Sequence, residues 1–163
     1  MLLYKIYCHL VVIICMFYYK LAFGKNVKMG RNFQFRKGFT LLIDKNGHVR
    51  IGDDVFFNNY CTVCAMKEIT IGNGTIFGEN VKLYDHNHIY LNPDTPIKQQ
   101  GYTSAPIHIG KHCWIGSNVT ILKGVTIGDN SVIGAGCVIH RDVPSNSVVV
   151  NKQELIVKAI KQE

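Results

Sequence analysis

The stretch at residues 109–139, IGKHCWIGSNVTILKGVTIGDNSVIGAGCVI, decides the fold. Isoleucine recurs in it at every sixth position: Ile109, Ile115, Ile121, Ile127, Ile133 and Ile139. A period of six matches neither the 3.6-residue period of an α-helix nor the two-residue alternation of a simple β-strand. Glycine follows several of these isoleucines, as expected where the backbone must turn. The stretch therefore predicts a short extended segment and a corner in each unit, with the isoleucine pointing inward.

The same period extends upstream in three phased blocks of apolar residues: Met29, Phe35, Leu41; Ile51, Phe57, Val63; Ile71, Phe77, Leu83. Three units close one triangular coil of about 18 residues, and stacked coils pair as parallel strands about 4.8 Å apart. The sequence predicts about five coils, at residues 29–50, 51–70, 71–88, 107–126 and 127–144. Breaks in the phase predict insertions near residues 44–47, at Met66 and in a loop over residues 89–106. A long polar loop of this kind is typically functional.

The cysteines fit the repeat better than they fit a metal site. Cys61 and Cys64 form a CxxC pair, but the sequence has no second pair at the spacing of a structural zinc site. Small residues recur four positions after each inward apolar residue, and Cys61, Cys113 and Cys137 occupy such positions. We expect reduced packing residues in a reducing compartment.

Composition limits the class of protein. A chain of 163 residues with 47% apolar and 18% charged residues predicts one globular domain and excludes a disordered or collagen-like chain. The formal net charge of +7 favours an anionic partner. Because lysine and arginine are dispersed after residue 40 and no nucleic-acid-binding signature is present, we expect a phosphorylated small molecule or an acidic membrane surface rather than nucleic acid.

The first segment, residues 1–26, predicts an apolar helix. Its uncharged run at residues 6–19 is shorter than the roughly 20 residues that span a bilayer. On a helix, one narrow stripe would contain Lys5, His9, Met16 and Lys20. The rest of the helix surface is a broad apolar face, which must be buried in lipid or against protein. Four interpretations stay open: a helix on the membrane surface, a spanning helix, a signal peptide, or a helix packed in an oligomer. The basic residues that follow favour the cytoplasmic face of an anionic membrane.

Two segments resemble those of a known family. WIGSNVTILKGVTIGDNSVIGAG at residues 114–136 and DHNH at residues 85–88 are similar to signature segments of the hexapeptide-repeat acyltransferases. The branch most similar comprises galactoside and maltose O-acetyltransferases together with capsule and lipopolysaccharide O-acetyltransferases. The resemblance covers residues 27–150. It implies an all-β fold, a left-handed parallel β-helix of about five triangular coils, with the apolar helix before it. The tail at residues 151–163 predicts a short closing helix.

Acyl transfer from a thioester to a hydroxyl needs a base for the hydroxyl proton and hydrogen-bond donors for the oxyanion that forms. Histidine suits the first task because its ordinary pKa lies near neutral pH. The resemblance implies that His88 is this base. His86 shares a face with His88 if the segment is extended, or else is a loop residue. Asp85 either orients an imidazole, binds acceptor hydroxyls or supports a turn.

The resemblance also implies the other site residues. Asn58 matches a position that contacts the acceptor, and a corner residue with unusual backbone angles is the alternative. Met66 stands where sugar-acetylating relatives carry an acceptor-binding aspartate, so their particular sugar is not implied. Coenzyme A is expected between neighbouring subunits, along these residues: Trp114, Gly116, Ser117, Ala135, His140, Arg141 and Lys158.

Some of these donor-side expectations have alternatives. If Trp114 does not contact coenzyme A, the alternative is that it packs in the coil. The alternative for Arg141 is a charged side chain in solvent. Relatives usually carry a proline-containing turn after the last coil, which residues 151–155 lack. The contacts of the nucleotide end therefore stay open.

We expect a CoA-dependent O-acetyltransferase in the cytoplasm, peripheral to the inner face of the membrane. It would move an acetyl group from acetyl-CoA to a hydroxyl of a sugar or polysaccharide precursor, directly in a ternary complex. The resemblance implies a homotrimer and no metal. The alternatives are a non-catalytic scaffold, an antibiotic-acetylating enzyme, and a γ-type carbonic anhydrase with zinc on His86 or His88 together with His108 and His112.

Overall fold

The computed structural model describes residues 2–152, with side chains from residue 9 onward. One helix, α1 (Leu2–Phe23), leads into a turn of 3-10 helix (Gly24–Asn26), and strands follow. Residues 151 and 152 are not helical. The rest of the predicted closing helix, including Lys158, lies outside the described residues.

Three parallel sheets form the sides of a triangular coil stack. Sheet A contains β1 (Val27–Met29), β4 (His48–Ile51), β7 (Glu68–Ile71), β12 (Ile107–Ile109) and β15 (Thr126–Ile127). Sheet B contains β2 (Gln34–Phe35), β5 (Phe56–Phe57), β8 (Ile76–Phe77), β13 (Trp114–Ile115), β16 (Val132–Ile133) and β18 (Val148–Val149). Sheet C contains β3 (Thr40–Ile43), β6 (Thr62–Ala65), β9 (Lys82–Tyr84), β14 (Thr120–Leu122) and β17 (Val138–Ile139). The chain visits A, B and C in turn five times, which confirms the predicted parallel β-helix.

The register of the sheets confirms the period of six. Ile109 pairs with Ile127, Ile115 with Ile133, and Ile121 with Ile139, and all six side chains are buried. In the first three coils the same column in sheet B is aromatic, and the rings of Phe57 and Phe77 stack at 4.0 Å between centroids. Identical inward positions therefore lie one above another and form a single core along the stack.

The corners between sheets explain the asparagines and glycines of the sequence. One residue in nearly every corner from A to B and from B to C has a positive φ, which Asn, Asp and Gly tolerate best. The series at the A-to-B corner is Asn32, Asp54, Gly74, His112, Asn130 and Asn146. Cys61, Cys113 and Cys137 are buried and free, as the repeat predicts.

Helix α1 packs across the first coil through one of its faces. Val12 and Tyr19 are buried, and the Tyr19 hydroxyl donates to the carbonyl of Phe39 at 3.3 Å. Met16, expected on the polar stripe with His9 and Lys20, instead packs partly against the core. The predicted apolar face is thus divided, with one part on the protein and another part exposed. Within residues 2–152, no helix has both the length and the hydropathy of a membrane-crossing segment.

The predicted loop over residues 89–106 is wrong in part. β10 (His86–His88) pairs antiparallel with β11 (Tyr102–Ser104), so the insertion begins before residue 89 and returns as a strand. The physical reason is that both segments leave the same coil corner, which brings them alongside each other at hydrogen-bonding distance. We refer to this pair of strands as the β10–β11 ribbon.

Candidate active site

The sequence-predicted site residues lie at two different corners of the coil. The CA corner, where the chain passes from sheet C to sheet A, comprises residues 44–47, 66–67, 85–106, 123–125 and 140–142. The BC corner, from sheet B to sheet C, comprises residues 36–39, 58–61, 78–81, 116–119 and 134–137. Each corner forms a column along the stack.

The β10–β11 ribbon carries both candidate histidines. His86 and His88 lie two residues apart on strand β10, so they share a face, as the sequence predicts. Both rings approach Tyr102 on β11, at 5.6 Å from His86 and 4.4 Å from His88 between ring centroids. His88 is exposed and His86 is half-buried. An exposed imidazole held against an aromatic ring can exchange a proton with a bound hydroxyl.

Asp85 lies at the base of the ribbon and is fully buried. Its two carboxylate oxygens accept from the backbone N–H groups of Met66 at 2.8 Å and Lys67 at 2.7 Å. One of them also lies 3.1 Å from Nδ1 of His86. Asp85 therefore both supports a turn and contacts an imidazole, which is that of His86.

The ribbon has further ties to the coils beside it. The backbone N–H of Ala105 donates to the carbonyl of Asp85 at 2.9 Å, and Lys123 Nζ donates to Thr103 Oγ1 at 2.9 Å. The first bond closes the base of the ribbon, and the second joins the ribbon to the next coil along the chain. Tyr102, Thr103 and Lys123 are the residues that sequence reasoning missed. The alternation around Tyr102 is too short a signal to separate a strand from a loop.

The two candidate acceptor residues are separated. Met66 lies at the CA corner directly against Asp85. Asn58 lies at the BC corner, where its Oδ1 accepts from the N–H of Asn59 at 2.9 Å and from Arg36 at 3.3 Å. Within one chain, Asn58 therefore does not share a corner with His88.

Three of the seven candidate donor residues also belong to the BC corner, namely Gly116, Ser117 and Ala135. A Cβ on Gly116 would lie 2.7 Å from the backbone nitrogen of Ala135, so only glycine fits there. The Ser117 hydroxyl accepts from the N–H of Glu79 at 3.1 Å, and its own proton is available to another acceptor. Ala135 is exposed beside it. A polar donor next to an open, small residue suits a thioester carbonyl and a narrow alkyl chain.

Trp114 is not a packing residue of the coil interior. Its side chain is 55% exposed on the outer face of sheet B. Register places it in an apolar strip with four neighbours: Phe56, Ile76, Val132 and Val148. The equivalent strip on sheet A is polar, with Lys28, Arg50, Thr70, His108 and Thr126 in register. Sheet B therefore presents a more apolar outer face than sheet A.

His140 and Arg141 lie exposed at the CA corner of the last full coil. They are therefore on the side of the histidine ribbon and not on the side of Ser117 and Ala135. Lys158 belongs to the residues that the structure leaves undescribed.

The histidines of the carbonic anhydrase alternative are dispersed. His108 Nδ1 lies 2.7 Å from Thr70 Oγ1 on sheet A, and His112 occupies an A-to-B corner with a φ of 55°. Across residues 2–152, no three or more of His, Cys, Asp and Glu are grouped to hold a metal ion.

Comparison with known proteins relates this geometry to enzymes. A family model described as bacterial transferase hexapeptide (six repeats) matches residues 106–141. An Escherichia coli (strain K12) protein, provisionally named lipopolysaccharide biosynthesis O-acetyl transferase WbbJ, is 30% identical over 145 residues, 85% of this chain and 74% of the relative. Galactoside O-acetyltransferase of the same strain is 32% identical over 85% of this chain and 57% of its own length.

Solved structures agree with these relatives. The hexapeptide-repeat acetyltransferase VCA0836 of Vibrio cholerae O1 biovar eltor, complexed with acetyl-coenzyme A, superposes with a TM-score of 0.66 at 31% identity. The match covers 82% of this chain and 71% of that one.

Proposed function

The chain belongs to the hexapeptide-repeat acetyltransferases, and we propose that it transfers an acetyl group from acetyl-CoA to a hydroxyl of a sugar or polysaccharide precursor. The names of two relatives, one for galactosides and one for lipopolysaccharide biosynthesis, support a sugar hydroxyl as the acceptor. The complex of VCA0836 with acetyl-coenzyme A supports the donor. We assign the transferase domain to residues 27–150.

The observation that carries the proposal is the face of the β10–β11 ribbon on which His86 and His88 lie. His88 projects from a strand that is fixed at its base by the buried Asp85 carboxylate and along its side by Tyr102. A base must be held within hydrogen-bond reach of the proton that it removes. Among the candidate bases, His88 combines exposure to a ligand with this support.

The proposed reaction proceeds in two steps. The His88 imidazole takes the acceptor hydroxyl proton while the hydroxyl oxygen attacks the thioester carbonyl, and the resulting oxyanion is stabilised by the Ser117 hydroxyl and nearby backbone N–H groups. The carbonyl then re-forms as the carbon–sulfur bond breaks, and the imidazolium returns its proton to the departing sulfur. The products are an acetyl ester and free coenzyme A. His86, whose Nδ1 faces Asp85, stands beside the base as a positioning group.

We propose that the site is completed between chains of a homotrimer. His88 belongs to the CA corner, whereas Ser117 and Ala135 belong to the BC corner. Two different corners meet when neighbouring coil stacks associate side by side around a symmetry axis. The apolar strip on sheet B, which includes Trp114, gives such an association an apolar contact surface.

We place the enzyme in the cytoplasm. Five cysteines in the described part of the chain are free thiols, which suits a reducing compartment. Burial raises the pKa of the Cys61 and Cys113 thiols, so both stay protonated and poorly reactive at neutral pH.

The test is acetyl transfer by a variant without the base. We expect His88→Ala to lower kcat/KM by about 100- to 10,000-fold, because proton transfer by a positioned base contributes that much. Coenzyme A binding, measured by calorimetry, should stay within a few-fold of wild type. The assay measures transfer of the labelled acetyl group from acetyl-CoA to each member of a panel of galactosides, maltose and amino sugars. If mild base releases the label from the product, the product is an ester.

The control is His48→Ala, which removes an imidazole from the outer side of strand β4 and should leave the rate unchanged. A His88→Ala rate near that of wild type would contradict the base assignment. Absence of coenzyme A binding by the wild-type chain would favour the scaffold alternative. Transfer only to amines, giving base-stable label, would contradict the hydroxyl acceptor.

A further inference from the structure

Helix α1 has two apolar faces, and the protein covers one of them. The covered face consists of residues at helical spacing: Val12, Cys15, Met16, Tyr19 and Phe23. Tyr19 anchors it among the rings of Phe35 and Phe39, at centroid distances of 6.4 and 6.3 Å. This contact fixes which side of the helix points away from the coils.

The opposite face is apolar and exposed. Six residues at helical spacing form it, each more than half exposed: Leu10, Ile13, Ile14, Phe17, Tyr18 and Leu21. At about 100° per residue, the centre of this face lies about 180° from the centre of the covered face. A contiguous exposed apolar patch of this kind marks an interaction site in most proteins. We call these six residues the outer face of α1.

The net positive charge of the chain is concentrated in the sequence segment that contains this face and the strands that follow it. Residues 1–43 contain seven lysines and arginines and no acidic residue, whereas residues 44–163 contain 11 basic and 11 acidic residues. The whole formal net charge of +7 therefore belongs to α1 and the first coil on which it packs. Arg31 is paired with Asp53 at 2.8 Å, but Lys20, Lys25, Lys28 and Lys37 are all exposed.

We propose that the outer face of α1 docks the protein onto an anionic phospholipid surface. An apolar helix face flanked by lysines buries its side chains at the acyl boundary while the lysines contact anionic headgroups. A second copy of the chain fits the same face less well, because a two-fold contact would bring the two cationic segments together. This inference does not depend on the reaction that the protein catalyses.

The test is co-flotation of the full chain with vesicles. With vesicles containing about one third phosphatidylglycerol at low salt, most of the protein should float, and high salt should reduce the floating fraction because ions screen the lysines. With pure phosphatidylcholine vesicles the floating fraction should be several-fold lower. Absence of flotation with the anionic vesicles would overturn the proposal.

Two pairs of variants separate the contributions. Phe17→Ser with Leu21→Ser should lower the floating fraction at least several-fold, whereas the control Tyr90→Ser with Leu91→Ser removes equally exposed apolar side chains from the insertion and should not. Lys25→Gln with Lys28→Gln should reduce flotation more than Lys98→Gln with Lys111→Gln.

The same variants distinguish lipid from protein as the occupant. Each variant is first checked for a wild-type circular dichroism spectrum, since the substituted side chains point away from the core. If the Phe17 and Leu21 variant floats like wild type, the face does not bind lipid. If it instead changes the oligomeric mass in the absence of vesicles, the face is covered by another copy of the chain, which also overturns the proposal.

Discussion

The buried carboxylate of Asp85 has two roles: it accepts hydrogen bonds from the backbone, and it contacts a histidine. Its oxygens accept from two consecutive backbone N–H groups, those of Met66 and Lys67, and one oxygen also faces His86. A carboxylate satisfies both N–H groups because it has only acceptors. An amide at the same place would turn its own N–H₂ group toward one of the two donors.

We therefore expect Asp85→Asn to destabilise the fold by about 1–3 kcal/mol, the usual cost of an unsatisfied buried hydrogen-bonding group. The free energy of unfolding in urea measures it. The rate of acetyl transfer should fall as well, because the β10–β11 ribbon loses its fixed base. Asp94→Asn, an exposed carboxylate in the same insertion, is the matched control. Equal stability of the two variants would show that the Asp85 contacts contribute little.

The sequence predicts the histidine pair but not the chemistry that holds it. Residues 85–88 indicate two histidines on one face, and the structure agrees. The bonds from Asp85 to Met66 and Lys67 join residues that are 18 and 19 positions apart. Such pairs depend on how two coils stack, so local spacing gives no signal for them.

At the scale of elements, Tyr19 links α1 to the first coil. Its hydroxyl donates to the Phe39 carbonyl, and burial raises the pKa of this phenol above its ordinary value of about 10. A group with a raised pKa in the folded state stabilises the fold fully below its unfolded pKa. That contribution is lost as the pH rises through the folded pKa.

Tyr19→Phe should therefore lower the melting temperature at about pH 8, with a loss of about 0.5–1.5 kcal/mol for the missing hydrogen bond. Above about pH 10 the difference from wild type should shrink, because only wild type has a buried phenol to ionise. Thermal unfolding at both pH values measures the effect. Tyr18→Phe, at a 61% exposed position, is the control. If both variants show the same dependence on pH, the buried phenol is not its cause.

The elements differ in how well the sequence predicts them. The coils were predictable because an inward residue recurs at every sixth position within each phased block, and equivalent positions pair from coil to coil. Strand β11 was predicted as part of a loop because it has only three residues and no buried alternation. Its pairing with β10 follows from the position of both ends of the ribbon at the CA corner.

At the scale of the whole molecule, the outer faces of sheets A and B are unequal. The strip around Trp114 on sheet B is apolar, and the strip around Arg50 on sheet A is polar and charged. A single chain exposes the first strip to water, which favours burial between chains. The sequence indicates the residues of both strips, but their alignment follows only from the register of the coils.

The sequence predicts which residues belong to the candidate site, but it does not predict how they come together in one cleft. His88 and Ala135 belong to different corners, so one chain does not unite them. The resemblance implies a site between subunits, and the separation of the two corners is the physical reason why such a site needs a neighbour. Shared catalysis between chains is thus the central claim of the proposed function.

Complementation between two inactive chains tests this claim most directly. His88→Ala removes the base, and Ala135→Arg fills the donor groove, so each variant alone should be at least about 100-fold less active than wild type. When the two are co-expressed and the mixed trimers are purified, about a third of the sites should combine an intact His88 with an intact groove, because each mixed trimer contains one such pair of neighbours. Acetyl transfer should return to that fraction of the wild-type rate. The double variant mixed with His88→Ala gives the background. Mixed trimers with no more activity than this background would contradict a site shared between chains.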